Sequence, residues 1–167
     1  MKEAYGNIWD HQADYDAIVI TTNGYVKKSG EAVMGRGIAL EAANLFPWLR
    51  RNLGTNLTMF GNRVYRYDII PDFVREKKYN FSLFTFPVKP EYGPNGEPGW
   101  KAKADIKLIE LSTRALILAI DKDYYKEDYK VLMPRPGCGN GHLKWENVKP
   151  IIEPLLDDRF TVMTFHE

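Results

Sequence analysis

Apolar and polar positions along the chain alternate between two kinds of pattern. Ala17-Ile-Val-Ile20 is a solid apolar run without alternation, which predicts a strand over Asp16–Thr21 buried on both faces. Val131-Leu-Met133 predicts another buried strand. Tyr5–Trp9 reads as a short strand or strand end, and Asp10–Tyr15 as a turn. Arg63–Tyr67 alternates as a half-exposed strand does, and Thr161–Phe165 is the closing strand. Tyr79–Phe86 alternates Phe and Leu with Asn and Ser, and is expected to stop at Pro87, which cannot donate to a ladder.

Helical spacing appears between these runs. Ile38, Leu40, Ala42, Leu45 and Phe46 mark a helix from Gly37, ended by Pro47, with a further turn from Trp48 toward Leu53. Asp105 is placed to cap a helix through Ile106, Ile109, Leu116 and Ile120. Trp145–Leu156 is the last helix, with Pro150 in its early turns. Strands and helices mostly alternate, with no repeat, linker or low-complexity tract. The pattern predicts one domain over residues 1–167, an α/β fold with a central mixed sheet and helices on both faces. Residues 121–130 are charged and expected to be solvated. Residues 89–103 are rich in Pro and Gly, and are either a functional lid or a tolerated insertion.

Two loops carry candidate chemistry. Gly35-Arg36-Gly37 stands just before a helix, where free N–H groups and the helix dipole favour an anion. A P-loop is absent, and Leu40 stands where a dinucleotide fingerprint needs its third glycine or alanine. Glycines that merely pack a helix start against a sheet remain the other reading. Gly137-Cys-Gly-Asn-Gly141 offers a second set of N–H groups in a concave nest. Both loops follow predicted strands, where α/β sheets bind ligands. Together they suit two phosphates, or a phosphate beside a sugar.

Composition narrows this picture. The chain has 167 residues, 44% hydrophobic and 27% charged, with a formal net charge of +1. Broad electrostatic attraction to nucleic acid or membrane is not indicated. The single cysteine, Cys138, excludes an internal disulfide and argues for a reducing compartment. No apolar run reaches membrane-spanning length and no signal-peptide pattern opens the chain, so a cytoplasmic protein is expected. No His/Cys/Asp cluster has metal-ligand spacing, so no metal requirement is expected.

Several blocks together resemble the macro-domain family. They are Asn23, Val33-Met-Gly-Arg-Gly-Ile-Ala39, Phe86-Pro-Val-Lys89, Met133-Pro-Arg-Pro-Gly-Cys-Gly139 and Leu143-Lys-Trp-Glu-Asn-Val148. Their order matches, they span almost the whole chain, and they look nearest the branch that removes terminal ADP-ribose from protein and from DNA. The resemblance implies a three-layer α/β/α fold that binds ADP-ribose or a derivative, with no cofactor. A monomer is favoured, and an ADP-ribosylated macromolecule is a possible partner.

The resemblance also implies roles. Val33, Met34, Gly35, Arg36, Gly37 and Ile38, with Pro136, Gly137, Cys138, Gly139, Asn140, Gly141 and His142, would clamp the diphosphate and distal ribose. Asn23 would bond the distal ribose, or simply form a turn before Gly24. Asn7 and Ile8 fall at the adenine end, where relatives often carry an Asp; Asn7 offers a carbonyl without charge. Met163 and Phe165 would pack the adenine, or belong to the core. Lys89 would attack or assist at the ribose C1, which a lysine does only if desolvation or nearby positive charge lowers its pKa; otherwise it is a solvated side chain. Relatives place an Asp after Gly-Cys-Gly; here Asn140, Gly141 and His142 stand there, and histidine can act as acid or base. Cys138 is read as a small packed residue, Trp145 and Val148 as core, and Arg135 as either structural or phosphate-binding. The function expected is hydrolysis of an ADP-ribose derivative, by glycosidic cleavage or by removal of the phosphate of ADP-ribose 1″-phosphate. The alternative is a non-catalytic ADP-ribose or related-nucleotide reader.

Overall fold

The computed structural model describes residues 1–71, 79–123 and 128–165. Their strands are β1 (Lys2–Tyr5), β2 (Ala17–Asn23), β3 (Arg66–Ile69), β4 (Phe81–Lys89), β5 (Val131–Pro134) and β6 (Phe160–Thr164). The α-helices are α1 (Gly37–Leu45), α2 (Leu49–Phe60), α3 (Ile106–Asp123) and α4 (Trp145–Ile152). One six-stranded sheet has the order β1-β6-β5-β2-β4-β3. Only β3 runs antiparallel, so the sheet is mixed, as expected.

Alternating side chains divide the core between the two faces of the sheet. Ile18, Ile20, Phe81 and Leu83 meet Ala39, Ala42 and Ala43 of α1 and Leu49, Leu53 and Leu57 of α2. Val19, Phe84, Phe86 and Val88 meet Ile109, Leu116 and Ile120 of α3 and Val148 and Ile152 of α4. That is the three-layer α/β/α arrangement. The small side chains of α1 let it lie close to the sheet. Asp105 caps α3 as its position predicted, its Oδ1 accepting from Lys107 N at 2.8 Å.

Three expectations need correction, and β4 is open to solvent on neither face: it is buried along nearly its whole length. Its polar members are satisfied inside: Ser82 Oγ donates to Asp68 at 3.0 Å, and Thr85 Oγ1 accepts from Tyr65 N at 2.8 Å. Nor does β4 stop at Pro87. Thr85 N donates toward Tyr65, so the missing N–H two residues on would point to the side where β3 has no partner to offer. The first strand ends at Tyr5, because Gly6 turns with φ +147° and Asn7 caps a short 3₁₀ helix, Ile8–Asp10. β3 starts three residues later than expected and ends two later, over Arg66–Ile69, paired antiparallel with Phe81–Phe84.

Residues 90–104 form no α-helix or strand, as their Pro and Gly content predicts. Tyr92 and Pro98 form an antiparallel bridge, and Gly99–Lys101 is a turn of 3₁₀ helix. Part of the charged stretch 121–130 lies outside the described residues. Among the described residues no helix is long and apolar enough to cross a membrane.

Candidate functional site

Five parallel strands point their carboxyl ends to one edge of the sheet, and each delivers residues to one cavity. Asn7 follows β1, Asn23 and Lys89 end β2 and β4, Arg135 follows β5, and Thr164 ends β6. The cavity has a volume of about 1110 Å³. This is the edge at which open α/β sheets take ligands.

The two glycine loops form opposite walls. α1 starts at Gly37 without a side-chain cap. Among the described residues, no backbone carbonyl takes up the N–H groups of Arg36, Gly37 and Ile38, or of Gly139, Asn140 and Gly141. Gly37 has φ +56°, and a β-carbon there would lie 3.0 Å from Asn140 Nδ2, so the loops meet at this pair. A β-carbon on Gly35 or Gly139 would meet nothing within 4 Å. Those two glycines therefore leave open space over N–H donors, the shape an anion requires. Gly137 serves packing instead: with φ +75°, its β-carbon would press on Ile109, Ala104 and Leu143. His142 closes the loop through its N–H to Gly139 O at 3.0 Å. Its φ of +60° is the only left-handed one at a non-glycine among the described residues. Such strain concentrates at functional sites.

Charge inside the cavity departs from the near-neutral chain. Lys27, Arg36, Lys89, Lys101 and Arg135 line it, against the single carboxylate of Glu41. An anionic ligand is strongly favoured there. Lys89 pairs with Asn23 across β4 and β2, and its Nζ donates to the carbonyl of Trp100 at 3.1 Å. Desolvation holds its pKa below the ordinary lysine value, and the positive charge of Arg36 lowers it further. Both conditions that activate a lysine are thus present.

Other candidate residues are engaged by the fold. The Asn23 amide donates to Val33 O at 2.9 Å, and its Oδ1 accepts from Tyr25 N at 3.0 Å. It therefore makes the turn after β2 and ties it to the first glycine loop, while still lining the cavity. Asn7 Oδ1 accepts from Trp9 N at 3.0 Å, so the carbonyl expected to meet adenine caps the 3₁₀ helix. Arg135 lies over the Trp145 ring at 5.0 Å and 3.5 Å from Glu3 Oε1. Burial pushes the Cys138 thiol up to about 11, outweighing the opposite pull of Arg135. A thiol so protonated is no nucleophile at neutral pH.

Of the sequence candidates, Ile8, Val33, Ile38, Met163 and Phe165 also line the cavity. Met34 and Pro136 do not: Met34 is packed in the core beneath α1, and Pro136 is buried under its loop. Trp145 reaches the cavity, although a core position was expected, and its Nε1 donates to Glu3 at 2.9 Å. Sequence reading missed Tyr25, Lys27, Glu41 and Lys101 as wall residues. Only Glu41 carried a local signal, four residues after Gly37 and so on the same helix face. Among the described residues no cluster of three or more His, Cys, Asp or Glu can hold a metal ion.

The sequence matches no protein-family model and no curated protein. Solved structures are similar to the chain. The macrodomain of Mycobacterium tuberculosis DarG is 22% identical with a TM-score of 0.70, over 96% of each chain. The macrodomain of Thermus aquaticus DarG is 22% identical with a TM-score of 0.71, over 99% of this chain and 97% of the other. Thermosipho africanus DarTG, in complex with ADP-ribose, is 21% identical with a TM-score of 0.67; the match takes in 95% of this chain and 39% of that longer one. The chain has the macrodomain fold.

Proposed function

We propose that the protein binds ADP-ribose and hydrolyses a derivative of it. The observation that carries this reading is the Lys89 amine, brought into a cationic cavity beside Asn23 with its pKa lowered by burial and by Arg36. The diphosphate would lie on the N–H groups around Gly35–Ile38 and Gly139–Gly141, where the open space over Gly35 and Gly139 admits it. The distal ribose would then stand toward Lys89 and Asn23. The complex of a DarTG with ADP-ribose, in the same fold, supports the ligand class.

Two chemistries fit the residues. In the first, neutral Lys89 takes a proton from an attacking water. The water oxygen bonds to the ribose C1 while the bond to the acceptor breaks, and the acceptor leaves with that electron pair and a proton from His142. In the second, the same water attacks phosphorus in ADP-ribose 1″-phosphate. The P–O bond to the sugar breaks, the sugar oxygen leaves with that electron pair and a proton from His142, and ADP-ribose and inorganic phosphate are released.

A second reading, a non-catalytic reader, has its own observation. No carboxylate follows Gly139, and the Asn23 amide and Lys89 Nζ both already hold backbone carbonyls. Incubating the pure protein with ADP-ribose 1″-phosphate, ADP-ribosylated protein and ADP-ribosylated DNA separates the two. Release of phosphate or of ADP-ribose supports the hydrolase; tight ADP-ribose binding without any product supports the reader.

A further inference from the structure

A cavity walled by five cations has little electrostatic reason to hold one carboxylate, yet Glu41 lines it. Glu41 lies on α1 four residues after Gly37. It therefore stands on the face that carries the glycine start, about 6 Å farther along the helix axis. That offset suits the part of a nucleotide one sugar away from its phosphate. The Glu41 side chain is held there: its Oε2 accepts from Trp9 Nε1 at 2.7 Å, and the Trp9 ring packs edge-on against Phe46. Its Oε1 has no hydrogen-bond partner among the described residues. Ile8 and Met163, which line the same cavity, supply apolar surface for a flat ring. Asn7, nearby in sequence, has its carbonyl committed to Trp9 N.

We propose that Glu41 reads the base of the bound nucleotide, its Oε1 accepting a hydrogen bond from an exocyclic amine such as that of adenine. This rests on the nucleotide-binding reading above. A fixed carboxylate accepts only, so it rewards an amine and repels a carbonyl oxygen at the same position. A site that pairs a polar group in this way rejects the analogue lacking it far more sharply than a hydrophobic wall does. Trp9 is a positioning residue: its indole N–H fixes which carboxylate oxygen remains for the ligand.

The test is calorimetric titration with ADP-ribose and with its inosine analogue, which carries a carbonyl in place of the amine. The wild type is expected to bind ADP-ribose at least about tenfold more tightly. In Glu41→Gln the side-chain carbonyl can still accept from Trp9, which turns the amide N–H₂ toward the base. ADP-ribose should then weaken and the inosine analogue should gain, bringing the two together or reversing them. A wild type that binds both equally overturns the proposal and leaves nucleotide binding intact. So does a Glu41→Gln variant that keeps the wild-type ratio, or one that weakens both ligands alike, the mark of a carboxylate that only holds Trp9. A wild type that binds neither ligand overturns the nucleotide reading itself.

Discussion

Lys89 Nζ donates to the main-chain carbonyl of Trp100 across 3.1 Å, which ties the amine at the end of β4 to the loop that follows it. The loop is held by backbone contacts of its own. Gly99 N donates to Glu91 O at 2.8 Å, and the Gly99 α-carbon lies so close to Pro90 O that a side chain has no room. Residues 90–101 therefore set where the lysine stands.

Gly99→Ala should push the loop off Pro90 and move the Trp100 carbonyl away from Lys89. A misplacement of about 1 Å at a reacting group can cost on the order of 10² in rate. Turnover is expected to fall by up to that factor while ADP-ribose affinity, measured by calorimetry, stays near wild type. Unchanged turnover in the folded variant would show that the loop does not place the amine.

Gly139→Val tests the anion cradle. The position has no positive φ and no neighbour within 4 Å, so the fold should survive. The valine methyl groups would occupy the space left for phosphate. Losing two charged hydrogen bonds of about 1.5 kcal/mol each corresponds to roughly 100-fold weaker binding. Wild-type affinity with an unchanged melting temperature would move the ligand elsewhere.

The pH profile follows from Lys89. Its pKa is depressed in the ligand-free protein, and the free amine is the working form, so kcat/KM should rise with pH along a limb set below the ordinary lysine value. Arg36 disfavours the ammonium form. Arg36→Gln should therefore raise the lysine pKa and slide the ascending limb to higher pH, though burial still holds it down. A limb that stays put would detach the profile from this pair.

Cys138→Ser should leave turnover intact, because burial keeps the thiol protonated, with its pKa at about 11. Alkylating reagents at neutral pH should react slowly. Loss of activity in a folded serine variant would return Cys138 to the chemistry.

How far sequence alone reached depended on whether the signal was local. The apolar run at Ala17–Ile20 announces a doubly covered strand, and the Asp105 cap and the glycine starts are short-range chemistry. β4 was harder. Ser82 and Thr85 look like solvent-facing positions, and only their partners on the β3 side, Asp68 and Tyr65, reveal that they are satisfied inside. Asn7 and Asn23 had the right neighbourhood, but their bonds to Trp9, Tyr25 and Val33 depend on how the backbone turns. Lys27 reaches the cavity from one loop and Trp100 and Lys101 from another, and nothing periodic connects the two. Trp145 follows helical spacing, yet its indole is drawn to Glu3 on β1, far away in the chain.

The most direct measurement of the central claim compares wild type with Lys89→Ala on ADP-ribose 1″-phosphate, ADP-ribosylated protein and ADP-ribosylated DNA, with ADP-ribose affinity read in parallel. Wild type should turn over at least one substrate. Lys89→Ala should lose on the order of 10²–10⁴ in rate, the usual worth of a positioned acid/base group, and keep most of the affinity, because backbone N–H groups hold the diphosphate. An active wild type with an equally active Lys89→Ala would contradict the lysine's role. A wild type that binds ADP-ribose and releases no product from any of the three would contradict the hydrolase.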